Sequence, residues 1–227
     1  MTSRTAGGEN RLPPGAAVVV AIVVYALLPS SVLLTNRLII PVVEVLLLVA
    51  LVVTNPRRIT RETRWSRWVS MALASVVILT NLGSLVLLVT ELTGSTPSGS
   101  KLLAAAMQIW LTNVIGFALL YWELDRGGPV ARRSEKRTEL PDADWRFSQD
   151  ENDDTVVEVS RGSSKSSGWV PIFVDYLYLS LTNSSAFSPT DTMPLTSRAK
   201  VLMGIQATAA LLTSLVLVAF AVGSLGG

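Results

Sequence analysis

The sequence predicts an all-α membrane protein, a bundle of five transmembrane helices plus one short half-span resembling a pore helix. Six full spans are the alternative. Composition comes first: of 227 residues, 49% are hydrophobic and only 16% are charged, well below the roughly 25% charged residues usual for soluble domains. The apolar residues also lie in blocks. Three blocks are long enough to cross about 30 Å of hydrocarbon, which takes about 20 residues at 1.5 Å rise. Finally, backbone amides inside lipid must be bonded within their own segment, so these blocks are helices.

The first helix is expected over residues 15–34, with Pro29 near its outer end. Only Arg4 and Arg11 precede it as basic residues, and no small-x-small cleavage site follows, so it reads as a retained helix and not a removable signal. Thr35, Asn36 and Arg37 leave room for a tight turn into a second helix over 38–54, which Asn55-Pro56 ends. Arg57, Arg58, Arg61, Arg64 and Arg67 follow with Trp65 and Trp68 among them, the pairing of an interfacial anchor. The third helix is expected over 68–92 and the fourth over 101–124, with Asp125-Arg126-Gly127-Gly128-Pro129 as its stop.

Residues 125–168 read as a polar, flexible cytoplasmic loop. They hold the acidic run Asp150, Glu151, Asp153 and Asp154 and a Ser/Gly/Lys tail. Val156, Val157 and Val159 are the one candidate strand in it. The chain thus divides into a four-helix region (1–124), this loop, and a last region (169–227) with its final helix over 198–222.

Lys and Arg set the topology. The N-terminal segment, the 55–67 loop and the 125–168 loop hold two, five and eight of them, whereas the alternate loops offer Arg37 and Lys101. The positive-inside rule puts the N-terminus in the cytoplasm of a multi-pass protein of the cell membrane. The lipid bilayer is the expected partner. A net charge of +2, with the basic residues at helix ends, gives no reason to expect nucleic acid. The chain has neither cysteine nor histidine, which excludes thiolate nucleophiles, imidazole ligation and triads with a His base. Neither an enzyme nor a cofactor is expected.

Residues 175–194 read DYLYLSLTNSSAFSPTDTMP. This run resembles the pore helix and filter of the two-helix potassium-channel superfamily, whose pattern is roughly DALYFSxTTLTTVGYGDxxP. Asp175, Leu177, Tyr178, Ser180, Thr182, Asp191 and Pro194 fall on the pattern without a gap. The tail as a whole also resembles those of bacterial membrane proteins. The resemblance implies a short helix, a polar turn and a long inner helix, in a homo-oligomer passing a monovalent cation. It departs at the filter, where Ala186, Phe187, Ser188, Pro189 and Thr190 replace T-V-G-Y-G. A potassium filter needs glycine dihedrals to aim rings of carbonyls at the ion, and Pro189 fixes φ instead. The expectation is therefore a channel-like protein without a potassium filter, with a non-conducting scaffold or accessory subunit as the alternative.

The pore-segment candidates are Asp175, Thr182, Asn183, Ser184, Ser185, Ser188, Thr190 and Asp191. Asp175 also fits as the cap of the short helix. Asn183, Ser184 and Ser185 could line a vestibule or satisfy unwound backbone. Elsewhere, Glu44 is an ionisable group at membrane depth. It reads as a neutral carboxyl bonded to Asn81 or another partner, or as a site for a proton or cation. Asn81, Gln108 and Asn113 read as interhelical glue. In the channel superfamily the short helix starts from the outer face, whereas the basic residues before it place its start inside. Two arrangements reconcile the two: a segment that dips in from the cytoplasm, or a full span over 169–187.

Overall fold

The computed structural model describes residues 8–54, 58–59, 63–91, 99–151, 156–185 and 192–225. The helices are α1 (Leu12–Ala26), α2 (Ile39–Thr54), α3 (Arg64–Glu91), α4 (Gly99–Leu124), α5 (Pro129–Ser134), α6 (Val157–Ser160), α7 (Ser164–Ser167), α8 (Phe173–Ser185) and α9 (Ser197–Leu225). Two small antiparallel pairings tie distant segments together. β1 (Glu9–Asn10) pairs with β2 (Arg58–Ile59), and β3 (Trp145–Arg146) with β4 (Met193–Pro194).

Three helices are long and apolar enough to cross a membrane: α3, α4 and α9. Each is about 40 Å long at 1.5 Å per residue. Their outward residues, such as Leu79, Val86, Val201 and Val218, are 60–66% exposed, as surfaces solvated by lipid tails are. The apolar helices α1 and α2 have 15 and 16 residues, about 22–24 Å, short of full hydrocarbon thickness. α1 ends eight residues earlier than the apolar run suggested. Pro29 lacks an N–H and its ring opposes the carbonyl four residues back, so after Ala26 the chain turns through a 3-10 turn at Ser30–Val32.

α4 is the central helix, packed against α1, α3, α8 and α9. Small residues permit the close approach. Ala105, Ala106 and Ala118 are fully buried, and a Cβ on Gly116 would come within 3.0 Å of Ile78 on α3. Glycines also make the turn after α4: Arg126, Gly127 and Gly128 have φ of 50°, 80° and 94°, the left-handed region that glycine enters without penalty.

The expectation of a flexible 125–168 loop is corrected for much of its length. Trp145 and Phe147 are 0% and 5% exposed and stack with Tyr121, Tyr176 and Trp169. Two aromatic anchors are enough to pin a segment whose average composition is polar. The candidate strand at Val156–Val159 is a single helical turn, α6, with Val156, Val157 and Val159 exposed. Among the described residues no strand pairs with these valines.

Candidate functional site: a short helix and its anchors

The start of α8 is held by three carboxylates. Asp175 Oδ2 accepts from the Ile172 N–H at 2.7 Å, so Asp175 caps the helix from its first turn, as expected, by reaching back to the preceding backbone. Glu9 Oε1 accepts from the Phe173 N–H at 2.7 Å and Glu9 Oε2 from Trp122 Nε1 at 3.1 Å. Glu9 therefore brings a second acceptor to the unpaired N–H groups at the helix start. It is 5% exposed, and burial pushes its carboxyl above the usual range, against the opposing pull of the Phe173 N–H, Arg132, Trp122 and Arg133. Asp125, fully buried at the end of α4, accepts from the Tyr176 hydroxyl at 2.6 Å.

The same end of α4 anchors the start of α9. Asp125 Oδ1 accepts from the Asp144 N–H at 2.8 Å, and the buried Asp144 carboxylate takes both Arg198 Nε and Nη2, at 2.6 and 2.5 Å. Thr196 Oγ1 donates to Asp144 Oδ1, and the Leu195 N–H donates to the Asp144 carbonyl. A bidentate Arg–carboxylate pair fixes orientation as well as charge. Arg132, fully buried, donates to the Trp122 and Asp125 carbonyls at 2.8 and 2.7 Å, covering the C-terminal end of α4. Its guanidinium also lies 4.9 Å from the Tyr176 ring centre.

From this mouth α8 runs inward along α4. Ser180 Oγ donates to the Val114 carbonyl at 2.7 Å, about three turns of α4 before Asp125. There the polar residues of α8 meet Gln206, fully buried on α9. Gln206 Nε2 donates to Ser180 Oγ at 2.6 Å and to Ser184 Oγ at 2.9 Å, while its Oε1 accepts from Tyr121 at 2.7 Å and Asn183 at 2.9 Å. Asn183 also donates to the Met203 carbonyl, and Asn113 to the Gln206 carbonyl. By Met193 the chain is back at the mouth, paired with Arg146. α8 has 13 residues, about 20 Å, and starts at the end of the bundle where Met193 is paired.

The pore-segment candidates accordingly divide. Asn183 and Ser184 are buried in the Gln206 network. Thr182 and Ser185 turn their hydroxyls back on their own helix, to the carbonyls of Tyr178 and Leu181. Asp175 sits at the mouth. Ser188, Thr190 and Asp191 lie outside the described residues. Glu44 lies on α2, which packs on α1 and α3, and its expected partner is corrected. Asn81 donates instead to the Ile109 carbonyl of α4 at 2.6 Å, because that carbonyl lies across the tight α3–α4 contact.

Sequence reasoning missed Glu9, Asp144 and Gln206 as anchors. Gln206 carried a signal, a lone amide in an apolar span. Glu9 carried none, since its partner lies 164 residues away. No family model, no curated protein and no solved structure matches the chain. Among the described residues no group of acidic side chains could hold a metal ion.

Proposed function

We propose that this is a multi-pass protein of the cell membrane, with α1, α2, α3, α4 and α9 as spans and α8 as a half-span dipping in from the cytoplasm. The N-terminus and the mouth of the hairpin face the cytoplasm in this reading. The thirteen Lys and Arg in the 55–67 and 125–168 loops support it. Its function is that of a non-conducting scaffold or accessory subunit, without enzymatic activity, in which the hairpin braces the bundle. One observation carries this reading: the polar side chains of α8 within the bundle are consumed by Gln206, Met203, Val114 and their own helix. A hydrated ion needs unclaimed polar groups along its path, and hydrogen-bonded glue of this kind offers none.

A second reading, a pore-loop channel for a monovalent cation, draws on the hairpin geometry itself. The pore would then lie between copies of the chain in a homo-oligomer. Flux of potassium and sodium into vesicles containing the purified full chain separates the two. The scaffold reading expects no flux above protein-free vesicles. Flux that changes on substituting Thr182, Ser185, Ser188 or Thr190 overturns it in favour of the channel.

A further inference from the structure

A second polar feature, on α1, α2 and α3, is unlike the hairpin in one respect: Glu44 and Ser84 within it keep unbonded side-chain oxygens. Glu44 stands on the inward face of α2 with Pro41 and Leu51, while Val42, Val43, Val45 and Leu46 face outward. Its side chain is 2% exposed and its Oε2 has no hydrogen-bond partner. On α1, Tyr25 is also 2% exposed, and its hydroxyl, met by the Leu34 backbone N–H, interacts electrostatically with Glu44. Leu34 in turn covers Gly83 on α3, and the next residue, the fully buried Ser84, has a second unpartnered oxygen.

The charged groups around Glu44 are few. The α1–α2 connection supplies Arg37, whose guanidinium is turned to the Leu28 carbonyl at 3.0 Å. α3 carries no ionisable side chain from Trp68 to Thr90, and among the described residues no cation is paired with Glu44. An isolated carboxylate in such surroundings costs too much to persist, and the group takes up a proton instead. A carboxyl held only for structure would be bonded, as Glu9, Asp125 and Asp144 are. Glu44 instead keeps an acceptor oxygen with capacity left over.

We propose that Glu44 is an intramembrane proton-binding site, with Tyr25 as its polar neighbour, whose ligand is a proton exchanged with bulk water. Infrared difference spectroscopy on the full chain in phosphatidylcholine vesicles tests it. Near neutral pH the wild type should show a carboxylic-acid C=O band that is absent from Glu44→Gln, shifts in heavy water and moves in Tyr25→Phe. Exchanging choline for sodium should leave the band in place. Loss of only an ionised-carboxylate band in Glu44→Gln overturns the proposal, as does a band that heavy water fails to shift. Disappearance of the band in sodium would instead assign a metal-cation site and equally overturn it. Glu44→Asp guards against a Gln variant that does not insert. Its shorter carboxyl should displace the band, and an unchanged band places the proton elsewhere.

Discussion

At Glu9 one carboxyl meets a helix N-terminus and an indole N–H supplied by segments far apart in the chain. Because burial outweighs those donors and the nearby arginines, the folded protein binds the Glu9 proton more tightly than the unfolded chain does. The contribution of this group is thus fully present below its ordinary value of 4.5 and lost as pH rises through the raised one. Glu9→Gln does not titrate. The melting temperature of the wild type relative to Glu9→Gln should therefore fall as pH rises above the ordinary value of 4.5, and a rise in that direction would contradict the assignment. Asp175 makes one backbone bond at the same helix start, so Asp175→Leu should cost about 1 kcal/mol of stability, read from thermal unfolding in detergent. The Asp175 cap was legible because it is local, three residues from its partner. The Glu9 bond was not, because no sequence pattern relates two segments joined only by the finished bundle.

At the scale of the element, the polar face of α8 converges on Gln206 of α9, beside its bonds to Met203 and Val114. Replacing Gln206 with Leu leaves Ser180, Ser184, Asn183 and Tyr121 facing an apolar side chain. Each orphaned buried group costs about 1–3 kcal/mol. Gln206→Leu should therefore destabilise severely, whereas Thr182→Val, which removes only a bond back to its own helix, should change stability by about 0.5 kcal/mol or less. Comparable melting temperatures for the two variants would refute the network. The short helix implied by the resemblance spans Phe173–Ser185. Its existence was visible in the apolar surface of Tyr176, Leu177, Leu179 and Leu181, but its last turn was hidden by Asn183, Ser184 and Ser185. Those residues read as a polar turn until Gln206 is known to receive them. The ordered part of the 125–168 segment was illegible for a related reason. Trp145 and Phe147 are two aromatics in a polar stretch, and their burial depends on Tyr121, Tyr176 and Trp169 meeting around them.

For the whole molecule, composition and apolar blocks carried the membrane class and the three long helices, since hydrocarbon thickness translates directly into residue count. The two flanks of the hairpin, Ser164 bonded to Asp150 and Met193–Leu195 bonded to Arg146 and Asp144, lie at the same end of the bundle. Topology gives a first check. Single cysteines at Thr63 and Ser134, in a chain with no cysteine of its own, should resist an impermeant thiol reagent in intact cells and react in inverted vesicles. Labelling of either in intact cells would overturn the cytoplasmic placement of both loops. The most direct test places single cysteines on the two sides of the hairpin, Lys165→Cys and Leu195→Cys, both at exposed positions. If α8 is re-entrant, the two label from the same side of the membrane, and together with Ser134→Cys. Labelling of Lys165→Cys and Leu195→Cys from opposite sides would mean that the segment crosses the membrane, contradicting the hairpin and the anchoring network built on it.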